Sequence, residues 1–381
     1  MLASLTRHYH KLKENNAFRI LLHPRVLANY HRYQKEQRER PLVMRSHPTG
    51  VEIELTNRCN LACVQCLRSQ GLKPYRLGQM EFETYQRILE QFPWVINLSL
   101  NGFGEALMYP RFFDVVEYTR RKRPWCKIGI YSNGMLLHTE RAERLISCGL
   151  TELNVSIDAA LPETYCKVRR GGQLPVVHQN VRNLIRVRQR SRSRFPLIGL
   201  NFVLLNENEG ELVTFVEQAA DLGVDFINCI TYAGYDWGFQ NRRTVDSYRR
   251  ELDAAAQRME QLGIRCRSFP SDDLSWADPD RPFSCPFFWG ENFRVTFSGE
   301  VTLGCCTPFK EMYTYGNLLE QPFEQIWNNA AYQRNRALAK QHIVPNPVCA
   351  SCDRFSKRFF QLHGSLSAET PTAPGSPDGT H

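Results

Sequence analysis

VEIELTNRCNLACVQC, residues 51–66, joins two signals that bear on fold and chemistry together. Its first half, VEIELT, is a short apolar, β-branched run and predicts a strand. Its second half places Cys59, Cys63 and Cys66 on one loop, separated by three and then two residues. No fourth cysteine or histidine follows nearby. Structural zinc sites are closed by four ligands, usually given as two pairs. Three thiolates on a single loop suit a cubane iron–sulfur cluster better, because one iron is then left without a protein ligand. An open iron is a place for a substrate or cofactor to bind.

Working outward, the chain alternates strand and helix. After VEIELT, the runs INLSLNG (96–102), KIGIYSNG (127–134), LTELNVSID (150–158), LIGLNFVLL (197–205) and VDFINCIT (224–231) read as strands. Amphipathic stretches such as RFFDVVEYTRRKR and TERAERLISCG lie between them. Six such units predict an α/β fold, a parallel sheet with helices outside that is a closed or partly closed (β/α) barrel, whose chemistry lies at the strand C-terminal ends. The expected organisation is a basic helical extension over 1–48, the barrel over 49–240, a small cysteine-rich α+β extension over 241–362, and a polar, disordered tail over 363–381. In the extension, FRVTFSGEVTLGC predicts a hairpin turning at Ser298-Gly299, and FEQIWNNAAYQRNRALAK a single helix.

Composition narrows the function classes. Hydrophobic content of 42% and charged content of 23% describe a globular chain with a core. No apolar run is long enough to span a membrane, and the N-terminus lacks a signal-peptide core, so a cytoplasmic protein is expected. Thirteen cysteines there point to metal binding rather than disulfides. Residues 1–48 hold ten Lys/Arg against three Asp/Glu. A solvated helical face accounts for that charge, and nucleic acid is not expected as a partner.

The Cys-x3-Cys-x2-Cys loop after a first barrel strand resembles the hallmark of the radical S-adenosylmethionine (radical SAM) superfamily. Further motifs carry the resemblance along successive strands. NGFGEAL (101–107) is similar to the family's Gly-Gly-Glu-Pro stretch through Gly102, Gly104 and Glu105. YSNGM (131–135) supplies Asn133, NVSIDA (154–159) supplies Ser156 and Asp158, and TYCKVRRGG (164–172) supplies Arg169, with Arg170 as the neighbouring candidate. The resemblance implies a partial (β/α)6 barrel, in agreement with the six strands, and a [4Fe–4S] cluster on Cys59, Cys63 and Cys66. It implies SAM chelated at the open iron and contacted by Gly102, Gly104, Glu105, Asn133, Ser156, Asp158 and Arg169. It further implies one-electron cleavage of SAM to methionine and a 5′-deoxyadenosyl radical, with an electron donor such as flavodoxin or ferredoxin. Two positions depart from the pattern: Gln65 stands where an aromatic packs near adenine, and Ala106 where Pro is usual.

A second group, Cys285, Cys305-Cys306, and Cys349 with Cys352, offers four thiolates for a complete cluster, with Cys306 as a substitute for Cys305. A zinc ribbon is the alternative. The stretch from Cys285 through Gly316-Asn317-Leu318 and Ile326-Trp327-Asn328 to CASC resembles the SPASM or twitch extension of radical SAM enzymes, which implies an auxiliary [4Fe–4S] cluster on Cys285, Cys305, Cys349 and Cys352. The remaining cysteines, Cys126, Cys148, Cys166, Cys229 and Cys266, read as free thiols. Tyr165, His178, Tyr232 and Tyr235 are placed towards the mouth without an assigned role. The expected reaction is a two-electron oxidation, of a sugar-like or aminocyclitol alcohol in the first instance, of a peptide or protein in the second. A non-catalytic zinc scaffold with a nucleic-acid-binding arm is the reading from another class.

Overall fold

The computed structural model describes residues 20–69, 76–232, 245–269, 283–291, 293–303, 314–345 and 349. Ten strands form one sheet in the order β10-β9-β8-β1-β2-β3-β4-β5-β6-β7. The six expected strands are β1 (Gly50–Ile53), β2 (Asn97–Ser99), β3 (Lys127–Ser132), β4 (Glu152–Ser156), β5 (Leu197–Leu204) and β6 (Phe226–Thr231). All are parallel to their neighbours. Alternate residues such as Ile53, Leu98, Ile128, Ile130, Leu153 and Val155 are buried. Their partners across that layer are the apolar stripes of α2 (Phe82–Glu90), α3 (Phe112–Lys122), α4 (Thr139–Ser147), the short α5 (Pro162–Val168) with α6 (Leu174–Arg190), and α7 (Leu212–Leu222). The two ends of the sheet are different strands, so the barrel is open, as a partial barrel should be.

The β/α rhythm runs one unit further than the sequence suggested. Helix α8 (Val245–Leu262) leads to β7 (Cys266–Ser268), which pairs parallel to β6 across a register shift. With three residues, β7 has too few alternations to show a pattern in the sequence.

The C-terminal extension is built onto the same sheet. The hairpin β8 (Phe293–Val295) and β9 (Glu300–Leu303) turns through Ser298-Gly299, with Gly299 at φ +84°, a conformation glycine takes without a Cβ penalty. Strand β8 lies parallel to β1, and β10 (Gly316–Asn317) closes the edge antiparallel to β9. The helix expected after it is two helices, α9 (Phe323–Trp327) and α10 (Ala330–Lys340). Asn329 separates them by capping α10, its side chain accepting from Tyr332 N at 3.0 Å. Trp327 is core packing, stacked on Phe323 and covered by the Arg336 guanidinium.

The N-terminal helix α1 (Pro24–Glu39) wedges between barrel and extension rather than lying on the barrel alone. Val26 packs with Ile20 and Ile96 on the barrel side. Towards the extension, Arg40 bonds Ser284 at 2.7 Å, Trp289 Nε1 donates to Pro41 O at 2.9 Å, and Trp327 Nε1 donates to Ser46 O at 2.9 Å. No helix among the described residues is long and apolar enough to cross a membrane.

Candidate active site at the mouth of the barrel

The loop that follows β1 is fixed before its first cysteine. Thr56 Oγ1 donates to Gly78 O at 2.9 Å and accepts from Arg58 N at 3.1 Å. Asn57 clasps the returning chain through Arg76 O and Gly78 N. The cysteine loop then runs along the end of α5: Ala62 N donates to Arg170 O and Val64 N to Val168 O. Cys59, Cys63 and Cys66 are each partly exposed. Polar hydrogens face two of the sulfurs. Leu61 N lies 3.5 Å and Asn133 Nδ2 3.9 Å from Cys59 Sγ, and Arg169 Nη1 lies 3.9 Å from Cys63 Sγ. Burial pushes the Cys59 thiol up and the Cys63 thiol to about 11, although Arg169 opposes the latter. Metal binding therefore has to displace those protons. Three soft donors on one loop, two of them faced by N–H groups that stabilise thiolate, have the chemistry of an iron–sulfur site, although among the described residues no three ligating side chains are gathered closely enough to hold a single metal ion.

The loop after β2 fits tightly under this one. A Cβ at Gly104 would collide with Thr56 O and approach Arg58 O to 2.6 Å; a Cβ at Gly102 would run into the Glu54 side chain. Glu105 N donates to Arg58 O at 2.9 Å. The Glu105 carboxylate is buried and accepts from Ser132 Oγ at 2.9 Å, Asn133 N at 2.8 Å and Leu107 N at 3.3 Å. Burial nevertheless raises its pKa. Ala106 opens the short 3₁₀ turn Ala106–Met108 that Glu105 caps. Asn133 donates to Asn60 Oδ1 at 2.8 Å and accepts from Met135 N at 3.0 Å. Glu105 thus joins the β2 and β3 loops, and Asn133 joins both to the cysteine loop.

On the opposite side Asp158, fully buried and at φ +56°, forms an ion pair with Arg169. Its carboxylate also accepts from Gln65 Nε2 at 2.7 Å and Val203 N at 2.9 Å. Burial works against the Arg169 charge, but Asp158 and Cys63 outweigh it and hold the guanidinium above its ordinary range. Arg170 turns outward and lends only its carbonyl. Ser156 ends β4, half-buried and opposite Asn201. Gln65, a departure from the family pattern, has its amide committed to Asp158. Tyr165 is buried against Gly172, near enough to Arg169, Asp158 and Cys63 for their charges to act on its phenol, whose pKa burial raises, whereas His178 lies partly buried on α6. Tyr235, Cys305, Cys306 and Cys352 lie outside the described residues; Cys285 and Cys349 are buried. Cys126, Cys148 and Cys229 are buried free thiols, whereas Cys166 is exposed.

Sequence reasoning missed the polar layer beneath the mouth. Glu52 pairs with Arg294 of β8, and Glu152 with Lys127 at 3.4 Å and Arg267 at 2.7 Å. Asn228 Nδ2 donates to Asn201 Oδ1 at 2.7 Å and Asn154 Oδ1 at 3.2 Å. Tyr131 keeps 47% of its surface accessible, yet surrounding protein and the nearby Glu152 and Glu52 push its phenol to about 12. Tyr131 is thus a half-accessible ring on β3, opposite Asn154 on β4. The signal was isolated polar residues, Glu52, Glu152, Asn154, Asn201 and Asn228, within otherwise apolar strands.

Strand-end loops carrying three thiols over an open parallel barrel define an iron–sulfur enzyme, and the chain belongs to the radical SAM superfamily. The model of that superfamily matches residues 53–219, and that of the SPASM iron–sulfur cluster-binding domain matches 285–353. The chain is 30% identical over 331 residues to the tungsten-containing aldehyde ferredoxin oxidoreductase cofactor-modifying protein of Pyrococcus furiosus, covering 79% of this chain and 86% of that one. It is 29% identical over 343 residues to the PqqA peptide cyclase of Streptomyces rochei, covering 87% and 90%. Streptococcus suis SuiB bound to S-adenosylmethionine shares the fold at a TM-score of 0.64 and 15% identity, over 81% of this chain and 71% of that one. A SAM-binding [4Fe–4S] cluster and an auxiliary cluster follow from the two domains, and the zinc scaffold is set aside. When bound, the first cluster supplies the electron that splits SAM into methionine and a 5′-deoxyadenosyl radical.

Proposed function

We propose that this enzyme removes two electrons from a side chain of a peptide held against the polar layer of the sheet, and that Cys285, Cys305, Cys349 and Cys352 would hold an auxiliary cluster able to take the second electron. The observation that supports this reading is the polar layer within the sheet, where the amides of Asn154, Asn201 and Asn228 bond one another and Tyr131, opposite Asn154, keeps 47% of its surface accessible. The open sheet gives a chain segment a way in from the side. Among the relatives named above, the PqqA peptide cyclase spans nearly the whole chain, and none is named for a sugar-like or aminocyclitol alcohol. The peptide alternative therefore replaces the alcohol as the favoured substrate.

In this reading Cys59, Cys63 and Cys66 hold the SAM-binding cluster, and Cys285, Cys305, Cys349 and Cys352 the auxiliary one. The loop of Gly102 and Gly104 supplies backbone at close approach, and Glu105 orients it. Asn133, Ser156 and the Asp158–Arg169 pair line the SAM site from β3, β4 and the turn after α5. Arg169, fixed by Asp158, presents a cation for the SAM carboxylate beside Cys63. The test is anaerobic incubation of the reconstituted enzyme with SAM, dithionite and a panel of peptides and polyols. A peptide should lose the mass of two hydrogens as 5′-deoxyadenosine forms; loss confined to polyols would reject the peptide reading.

A further inference from the structure

Reductive cleavage consumes one electron from outside in each cycle, so the molecule needs a place where a carrier delivers it. A groove of about 490 Å³ lies on the outer rim of the mouth, between the 3₁₀ turn after β2 and the start of α4. One wall is apolar and aromatic, with Tyr109, Phe113 and Met108, the last 39% exposed. The other carries Arg141 and Arg144. Arg141 Nη1 donates to Leu136 O at 3.2 Å, and the Arg144 guanidinium stands 3.9 Å over the Phe113 ring. Among the described residues neither guanidinium pairs with a carboxylate, and Glu140 is the one acid in the lining. Both charges therefore remain available to an incoming anion.

The groove is also joined to the thiol loop by short stretches of chain. Its floor residue Leu107 is two positions from Glu105, and Leu136 is three positions from Asn133. Glu105 ties those stretches together, and Asn133 Nδ2 reaches Cys59 Sγ at 3.9 Å. A partner seated here stands on the segments that touch the first cysteine.

We propose that this groove docks a small acidic one-electron carrier protein, which packs on Met108 and the aromatic wall while its carboxylates meet Arg141 and Arg144. The proposal rests on the SAM-cleaving reading. The carrier is oxidised by one electron and the cluster reduced by one, from the 2+ to the 1+ state, with no bond made or broken. Methionine, aromatic rings and arginine are the residue types enriched where proteins bind, and opposed charge steers such an encounter.

The experiment uses the reconstituted full chain and flavodoxin as the probe. Affinity for oxidised flavodoxin is measured at about 0.1 M salt and again near 1 M, where charges are screened within a few ångströms. Wild type should bind more weakly at high salt. Arg141→Glu/Arg144→Glu should weaken binding at low salt by about tenfold or more, whereas Arg141→Lys/Arg144→Lys stays near wild type. Dithionite-driven 5′-deoxyadenosine formation should be the same in all three, while formation driven by reduced flavodoxin falls only in the glutamate variant. Unchanged flavodoxin affinity in the glutamate variant would overturn the proposal, as would a parallel fall in the dithionite assay. A wild type that fails to cleave SAM with dithionite would strike the enzyme reading instead, and the binding comparison would still decide the groove.

Discussion

The mouth of the barrel and the polar layer beneath it are assembled by opposite means. At the mouth, glycine, asparagine and aspartate fix loops through bonds to nearby backbone, and the chemistry hangs on those loops. In the polar layer, rigid strands present charged and amide side chains whose partners come from distant parts of the chain: Arg267 reaches Glu152 across 115 residues and Arg294 reaches Glu52 across 242. The first kind of construction leaves compact motifs in the sequence. The second leaves only isolated polar residues within apolar strands. The molecule separates what all members of its family need, SAM cleavage, from what one member needs, a fit to its own substrate.

The largest effect should come from the mouth. Cys59→Ala removes a proposed cluster ligand, so iron at the first site and 5′-deoxyadenosine formation should both be lost. Iron analysis of that variant also tests the separation, since the auxiliary site should keep its iron. Next, Asp158→Ala leaves the buried Arg169 without its partner, a loss of about 3–5 kcal/mol. A clear fall in Tm together with weakened SAM binding is expected; an unchanged Tm would show that the pair does not hold the site together. Gly104→Ala forces a methyl against Thr56 O and Arg58 O. It should cost about 1–3 kcal/mol and slow SAM cleavage, because the thiol loop must shift.

The polar layer should respond differently. Tyr131→Phe should leave Tm, iron content and substrate-free SAM cleavage near wild type while lowering substrate turnover. A matching loss of SAM cleavage would erase the distinction between the two regions. The smallest effect concerns Glu54, buried between them. Burial raises its pKa above the ordinary value of about 4.5, against the amide bond from Phe103 N at 2.8 Å. A carboxyl raised by folding contributes its stability below the unfolded value and loses it as pH rises through the folded one. The Tm of wild type relative to Glu54→Gln should therefore decline as pH climbs from about 4.5; a flat difference would place Glu54 in a better-solvated setting than its burial indicates.

How much could be read beforehand follows the same division. The six barrel strands and the thiol loop were legible because each is a local pattern. The motif residues lie on the strand-end loops, yet their partners did not show. Asp158 engages Gln65 and Arg169, and Glu105 serves Ser132 and Asn133, through contacts between separate strands. Strand β7 was too short to register, and the break at Asn329 was hidden inside a run with helical composition throughout. The attachment of β8 to β1 was invisible, because a hairpin sequence specifies its turn and not the sheet it joins.

That attachment has a consequence for the making of the protein. Strand β1 is translated early, and the residue that pairs with its Glu52 emerges 242 residues later, after on the order of tens of seconds of synthesis. During that interval one edge of the first strand has only water for its amide and carbonyl groups, and the thiol loop that follows it hangs from a half-finished frame. Completion of the chain at its far end is thus also the event that finishes the foundation of its earliest loop. Any truncation before β8 should leave a nascent barrel with an exposed edge, open to aggregation and to premature loss of iron.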